Sequence, residues 1–194
     1  GNTLFFFFAI MGMGMVRAVG PMVSQAVGAN TPTAVGRSVR QGLWLAAGLG
    51  LAILLILSNV EPVLRWTGQR PVAIEGATAY LDAIRWGILP FLGFVALRSF
   101  VEGLSRPLPV TIIAFVGVAV NIGANELLMF GRWGLPALGL AGTGWASTLV
   151  FSVMFGLLAL FVHQTAPFAE HGVFTNIREP DPAYLRELVW VGAP

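Results

Sequence analysis

Residues 41–60 read QGLWLAAGLGLAILLILSNV, a run of twenty without a charge. As a helix, a run of about 20 apolar residues crosses the ~30 Å hydrocarbon core of a bilayer. Residues 107–125 are likewise uncharged, and so are 133–162, where Pro136 and its neighbouring glycines mark a turn before a helix from Leu138. Residues 3–29 form a fourth run, interrupted by Arg17. Residues 74–97 form a fifth, with Asp82 and Arg85 near one end and Pro90 inside. In lipid, every backbone polar group must be bonded internally, so runs of this length become helices. The expected fold is an all-α integral membrane protein, a polytopic bundle with spans at 3–29, 41–60, 74–97, 107–130 and 138–162. Only 10% of the residues are charged, against about 25% in a soluble domain.

The remaining composition excludes several classes. All eleven basic residues are arginine, and they are spread along the chain with no basic stripe among stacking aromatics, so nucleic acid is not an expected partner. The lipid bilayer is. With no cysteine there is neither a disulfide nor a Cys-ligated metal. His163 and His171 lie eight apart in a polar stretch without an HExxH pattern, no GxSxG occurs, and GMGMVRAVG has no strand before it. The reading is therefore not an enzyme, and no cofactor is implied. Residues 1–163 hold the spans, 164–183 a polar connection, and 184–194 the start of a further helix. The apolar pattern already under way at TLFFFFAIMGMGM, and the one beginning at VWVGAP, suggest a piece of a larger bundle. Counted over alternate loops, Arg37, Arg40, Arg98, Arg106, Arg178 and Arg186 fall on one side, and Arg65, Arg70 and Arg132 on the other. The excess marks the first side as cytoplasmic.

The polar residues inside the spans carry the functional argument. Asn121 and Asn125 lie one turn apart on one helix face that Gly117 extends. An unpartnered amide is costly in lipid, so this face points into protein or a wet cavity. It is either a site for a cation or substrate, or the polar glue of a helix–helix contact. Glu126 sits ~100° round the helix from Asn125. It is either an interfacial carboxylate paired with Arg132 or a proton carrier. In LGLAGTGWAST (138–148), Gly139, Gly142 and Gly144 permit close backbone approach, and Thr143 and Ser147 share a face. A short turn makes this helix the antiparallel neighbour of the Asn helix, with Thr143 near the level of Asn125. Amide, hydroxyl and carbonyl oxygens together suit a hard cation such as sodium. The competing reading is that Thr143 and Ser147 bond back to their own helix. Arg17, near mid-span, costs at least a few kcal/mol unless it faces a cavity or a carboxylate. Pro21 and Pro90 each remove a helix bond and are candidate kinks for gating.

Taken in order, VSQAVGAN (23–30), VGRSVRQGLWLA (35–46), LRSFVEGLSRPLPV (97–110), NIGANELLMFG (121–131) and GLPALGLAGTGWAST (134–148) resemble the multidrug and toxic compound extrusion (MATE) family, NorM-like branch. The resemblance implies helices 2–6 of the N-terminal lobe of a twelve-helix, two-lobe transporter, with 163–183 as the cytoplasmic inter-lobe linker and LRELVWVGAP opening helix 7. Helix 1 and the C-terminal lobe would be its partners within the same protein. It further implies export of cationic, often amphipathic drugs across the bacterial plasma (inner) membrane, in exchange for protons or sodium, by alternating access. In the family, a coupling cluster combines an acid on helix 1 with an Asn and an Asp or Asn on helix 5 and a Thr on helix 6. Asn121, Asn125 and Thr143 match it, with the carbonyl near Gly139 a further candidate ligand. Three features depart from the pattern: Asn125 is neutral, Glu126 stands where relatives carry an apolar or aromatic residue, and Arg17 is unusual. Two other readings are a lipid-linked oligosaccharide flippase of the wider superfamily, toward which Arg17 leans, and a non-transporting structural membrane protein.

Overall fold

The computed structural model describes residues 2–60, 62, 71–131, 136–166, 168–174 and 180–192, and among these all regular structure is helical. The first span is α1 (Asn2–Val16) followed by α2 (Val19–Gly28), and the second is α3 (Pro32–Ser58). The third is α4 (Pro71–Ile84), a 3-10 turn at Arg85–Gly87, and α5 (Ile88–Gly103). Next come α6 (Leu108–Leu128) and α7 (Gly139–Gln164), and a second 3-10 turn (Ala169–His171) precedes the short α8 (Pro182–Gly192). Five stretches are long and apolar enough to cross a membrane.

Proline sets both the starts and the bends. Pro32, Pro71 and Pro182 are first helical residues, where a missing N–H costs nothing. Pro21 has no N–H for the Arg17 carbonyl, which instead accepts the Gly20 N–H at 3.0 Å, and the helix breaks at Arg17–Ala18. Pro90 likewise cannot bond Trp86. There the chain tightens into the 3-10 turn, with the Ile88 N–H on the Arg85 carbonyl. The run expected at 3–29 is thus two helices.

Two other spans differ from expectation. The second begins at Pro32 rather than 41, because its helix continues beyond the uncharged run and carries Arg37 and Arg40. The third continues past 97 to Gly103, and Arg98 and Glu102 pair across one turn at 2.8 Å. This third span has the lowest hydropathy, 1.4, yet it is the most enclosed, at 67% buried against 22% for α6. Most of it faces other helices, while its charged Asp82 and Glu102 stay exposed. Leu92, Ala96, Leu97 and Phe100 are its fully buried core.

Small residues let the helices close up, as they must where lipid supplies no hydrophobic drive between helices. A Cβ on Gly93 would stand 2.7 Å from the Phe155 ring, and one on Gly144 2.7 Å from the Tyr80 carbonyl oxygen. Beside Gly144, the Thr148 hydroxyl donates to the Ala83 carbonyl at 2.9 Å, joining α7 to α4. We expect Thr148→Val, which keeps shape and removes this bond, to cost ~0.6 kcal/mol and at most about 1.7 kcal/mol, read from thermal unfolding in detergent.

The α2–α3 and α5–α6 connections share one end of the bundle, where Ser24 Oγ donates to the Gly103 carbonyl at 3.3 Å. Arg37, Arg40, Arg98, Arg106 and Arg186 lie toward this end, while Arg65, Arg70, Arg132 and Arg178 fall outside the described residues. The stretch after α7 is not simply a polar connection. Phe168 and Val173, each 2% exposed, join the core around Phe100, which contacts Phe168 edge to face.

Candidate functional site

The C-terminal half of α6 and the first turns of α7 form one antiparallel hairpin. The Leu138 and Gly139 N–H groups donate to the Leu128 and Met129 carbonyls at 3.0 and 3.3 Å, so the turn itself satisfies the end of α6. Gly139 adopts φ +55°, a left-handed conformation that glycine takes without strain. Just beyond it, Gly142 lies against the backbone of Leu128 and Met129, where a Cβ would stand 2.8 Å from the Met129 nitrogen. Gly117 continues the contact deeper in the bundle, beneath Met154.

Asn121 and Asn125 are half-buried on this hairpin. Asn125 Nδ2 donates to the Asn121 carbonyl at 2.9 Å and to Asn121 Oδ1 at 3.2 Å. One amide thus spends its donor on the other residue, and its own Oδ1 accepts no bond among the described residues. Among the described residues neither amide bonds to another helix. The geometry therefore differs from the cross-helix bond that a glue role requires.

Thr143 and Ser147 do bond back to their own helix. Thr143 Oγ1 donates to the Leu140 carbonyl at 2.7 Å, and Ser147 Oγ donates to the Thr143 carbonyl at 3.0 Å. Back-bonding uses each hydroxyl's proton and leaves its lone pairs, which are what a hard cation needs. Gly142 holds Thr143 at the level of Leu128, within a turn of Asn125. The fold thus sets Gly139 and Thr143 beside the C-terminal end of α6, with Asn125 about one turn and Asn121 about two turns back along that helix from Leu128.

The other singled-out residues lie apart. Glu126 is half-buried on a different side of α6, and Arg132 is outside the described residues. Arg17 sits exposed at the break between α1 and α2, and among the described residues it has no ion-pair partner. Asp82 and Arg85 pair with each other at 2.9 Å. Pro90 borders an apolar groove of about 610 Å³, whose walls include Trp86, Thr148, Ser152 and Phe155. Periodicity had marked only the proline, because the groove depends on which helices meet around the bend.

Sequence reasoning missed one polar cluster. On α3, Arg37 pairs with Asp181 and stacks over Tyr184 at 4.9 Å. Ser38 Oγ lies 2.6 Å from the Tyr184 hydroxyl, and Gln41 Oε1 accepts the Asp181 N–H at 2.9 Å. The Arg37 guanidinium, with the Tyr184 N–H, holds the Asp181 carboxyl below the usual carboxylate range. Only the separation of an arginine and an aspartate by most of the chain could have hinted at it, and no sequence period reports such a pair.

Comparison with known proteins agrees with this architecture. A "Probable multidrug resistance protein NorM" of Synechocystis is 32% identical over 193 residues, which take in all of this chain and 42% of that protein. A protein of the same name from Mesorhizobium japonicum is 36% identical over 196 residues and is likewise 42% covered. The chain therefore spans less than half the length of these curated relatives. A solved inward-facing conformation of a multidrug resistance MATE family transporter shares the fold, with a TM-score of 0.81 at 18% identity over 97% of this chain and 43% of that one. The family model MatE matches residues 1–127, through both site asparagines and most of α6. With its five apolar spans, the chain is a multi-pass membrane protein that belongs to the MatE family.

Proposed function

We propose that this chain forms part of a secondary active efflux transporter that exports cationic or amphipathic compounds in exchange for protons or sodium. The observation that carries the reading is the Asn121–Asn125 pair, an amide held within its own helix, on the helix that packs against the start of α7 where the Thr143 hydroxyl bonds back to Leu140. Neutral amides and a hydroxyl bind a cation without themselves gaining or losing a proton. This set therefore fits sodium as the transported ion, and a proton would need a carboxylate elsewhere. Ser147 is a secondary member, while Glu126 and Arg17 lie apart from this set and act on transport from outside it. Pro21 and Pro90 supply bends at which the spans flex during alternating access. The arginine-bearing end is cytoplasmic, and the bilayer is the bacterial inner membrane. Residues 1–163 belong to one lobe, 164–183 to the linker, and 184–194 to the first helix of the other lobe, which with a further helix completes the transporter.

The test uses the full-length protein in proteoliposomes with a fluorescent cationic dye. A sodium gradient alone and a proton gradient alone are imposed in turn. Dye movement driven by either supports the antiporter, and the effective gradient names the ion. No movement under either would sink the reading. The exposed Arg17 at the helix break favours a second reading, a flippase for an anionic lipid-linked sugar. Translocation of a labelled lipid-linked oligosaccharide in the same vesicles, with the dye unmoved, would replace the first.

A further inference from the structure

We infer that Arg37, Ser38 and Gln41 form a reversible latch for the first turn of α8, closed in this structure, that opens as the arginine-bearing end of the transporter opens. The inference rests on the transport reading but concerns residues outside the α6–α7 site.

Two segments after α7 are held to the bundle in different ways. The first is anchored by packing and backbone: Phe168 and Val173 are buried beside Phe100, Arg40 donates to the Gly172 carbonyl at 3.0 Å, and Gly36 lies directly under the His171 carbonyl. The second, the start of α8, adds a set of polar ties to its packing, in which Tyr184, Leu185 and Val189 lie against the core. Arg37 pairs with Asp181, Tyr184 reaches Ser38, and Gln41 takes the Asp181 N–H. Leu188 is the one side chain of α8 that is fully buried.

Among the described residues only three polar side chains are buried, namely Ser38, Gln41 and Ser99, and two of them lie beneath this turn. Polar groups beneath this turn suit a contact that is wet for part of a cycle. These groups are also provided for in both states. Ser38 gives its proton to the Ala34 carbonyl at 2.9 Å, so Tyr184 is the donor between the two hydroxyls, and Ser38 keeps its own bond when Tyr184 leaves. Asp181 caps α8 by accepting the Ala183 and Tyr184 N–H groups at 3.1 and 3.2 Å, and this cap travels with the helix. Arg37 and Asp181 are 52% and 28% exposed, so water reaches both as they part. Opening leaves Ser38, Arg37 and Asp181 bonded on their own side or met by water, and Gln41 Oε1 exchanges the Asp181 N–H for water as the turn lifts away, the condition for two interchangeable states.

The test is labelling of Ser38→Cys in the full-length protein, otherwise cysteine-free, with a membrane-impermeant maleimide. Ser38 is 0% exposed, so a closed latch protects it. We expect labelling to rise about tenfold with Arg37→Glu, and Asp181→Arg in the same chain to restore protection. Labelling that stays slow with Arg37→Glu overturns the latch. Joining Ser38→Cys to Tyr184→Cys with a short, thiol-cleavable crosslinker should stop dye efflux, and cleavage should restore it. Full efflux from the crosslinked protein overturns the opening step. The labelling arm needs no transport, so a vesicle that moves no dye at all counts against the proposed function and leaves the latch measurable.

Discussion

Replacing Asn121 and Asn125 together with alanine is expected to abolish efflux by the full-length protein while leaving its amount in the membrane unchanged. The reason is where their bonds go. Asn125 donates only to Asn121, on its own helix, so removing the pair cuts no tie between helices. What disappears is the Asn125 oxygen, which accepts no bond among the described residues, and the neighbour that holds its amide nitrogen. Asn121→Ala alone should act as the loss of an orienting neighbour does, lowering ion affinity and efflux about 10–100-fold. The checks are drug accumulation in cells, immunoblots of membrane fractions, and sodium titration of dye transport. Wild-type efflux from the double variant would remove these residues from the site. A fall in membrane amount in step with efflux would return them to a packing role. Asn125→Asp keeps the oxygen and adds a charge, so it should retain transport and make it depend on pH.

Gly142→Ala is expected to lower thermal stability by the equivalent of about 1–3 kcal/mol, the cost of overpacking a closed contact. Its new Cβ would stand 2.8 Å from the Met129 nitrogen and press on the Leu128 carbonyl, so relief requires α6 and α7 to move apart. No flexible side chain is there to yield. Gly123→Ala, on the same hairpin, has nothing within 4 Å of its Cβ. Alanine there should be neutral or stabilise by up to ~1 kcal/mol, since it gains helix propensity. Unfolding of both variants in detergent measures the contrast, and equal effects would mean that α6 and α7 are not in backbone contact. If the proposed site is right, Gly142→Ala should also weaken ion binding, because the same approach sets the start of α7, with Thr143, against the end of α6.

Much of the site was legible as spacing. Four residues between Asn121 and Asn125 guarantee a shared face on any α-helix, and the turn at 131–138 is too short for any arrangement except antiparallel neighbours. Spacing alone did not say which way the amides bond, and by itself it leaned toward helix glue over a ligand role. It was silent on Thr143, whose hydroxyl could turn to its own helix or away from it. The proline bends were legible in position, because a proline always withholds its bond from the residue four before it. Whether a missing bond becomes a break, as at Arg17–Ala18, or a 3-10 turn, as at Arg85–Gly87, depends on what packs against it.

The sequence by itself determined that this is a multi-pass helical membrane chain, with five stretches among the described residues long and apolar enough to cross. Lipid leaves no other way to bond a backbone over so many uncharged residues, so length and charge suffice. It also determined where most helices start and which polar residues share a face. Tertiary structure alone decided that the least apolar span is the most enclosed, that Gly142 rather than Gly123 closes the hairpin, and that Arg37 meets Asp181. Those outcomes depend on contacts between residues distant in the chain. A local pattern records which face of a helix is apolar or small, but not which neighbour fills it.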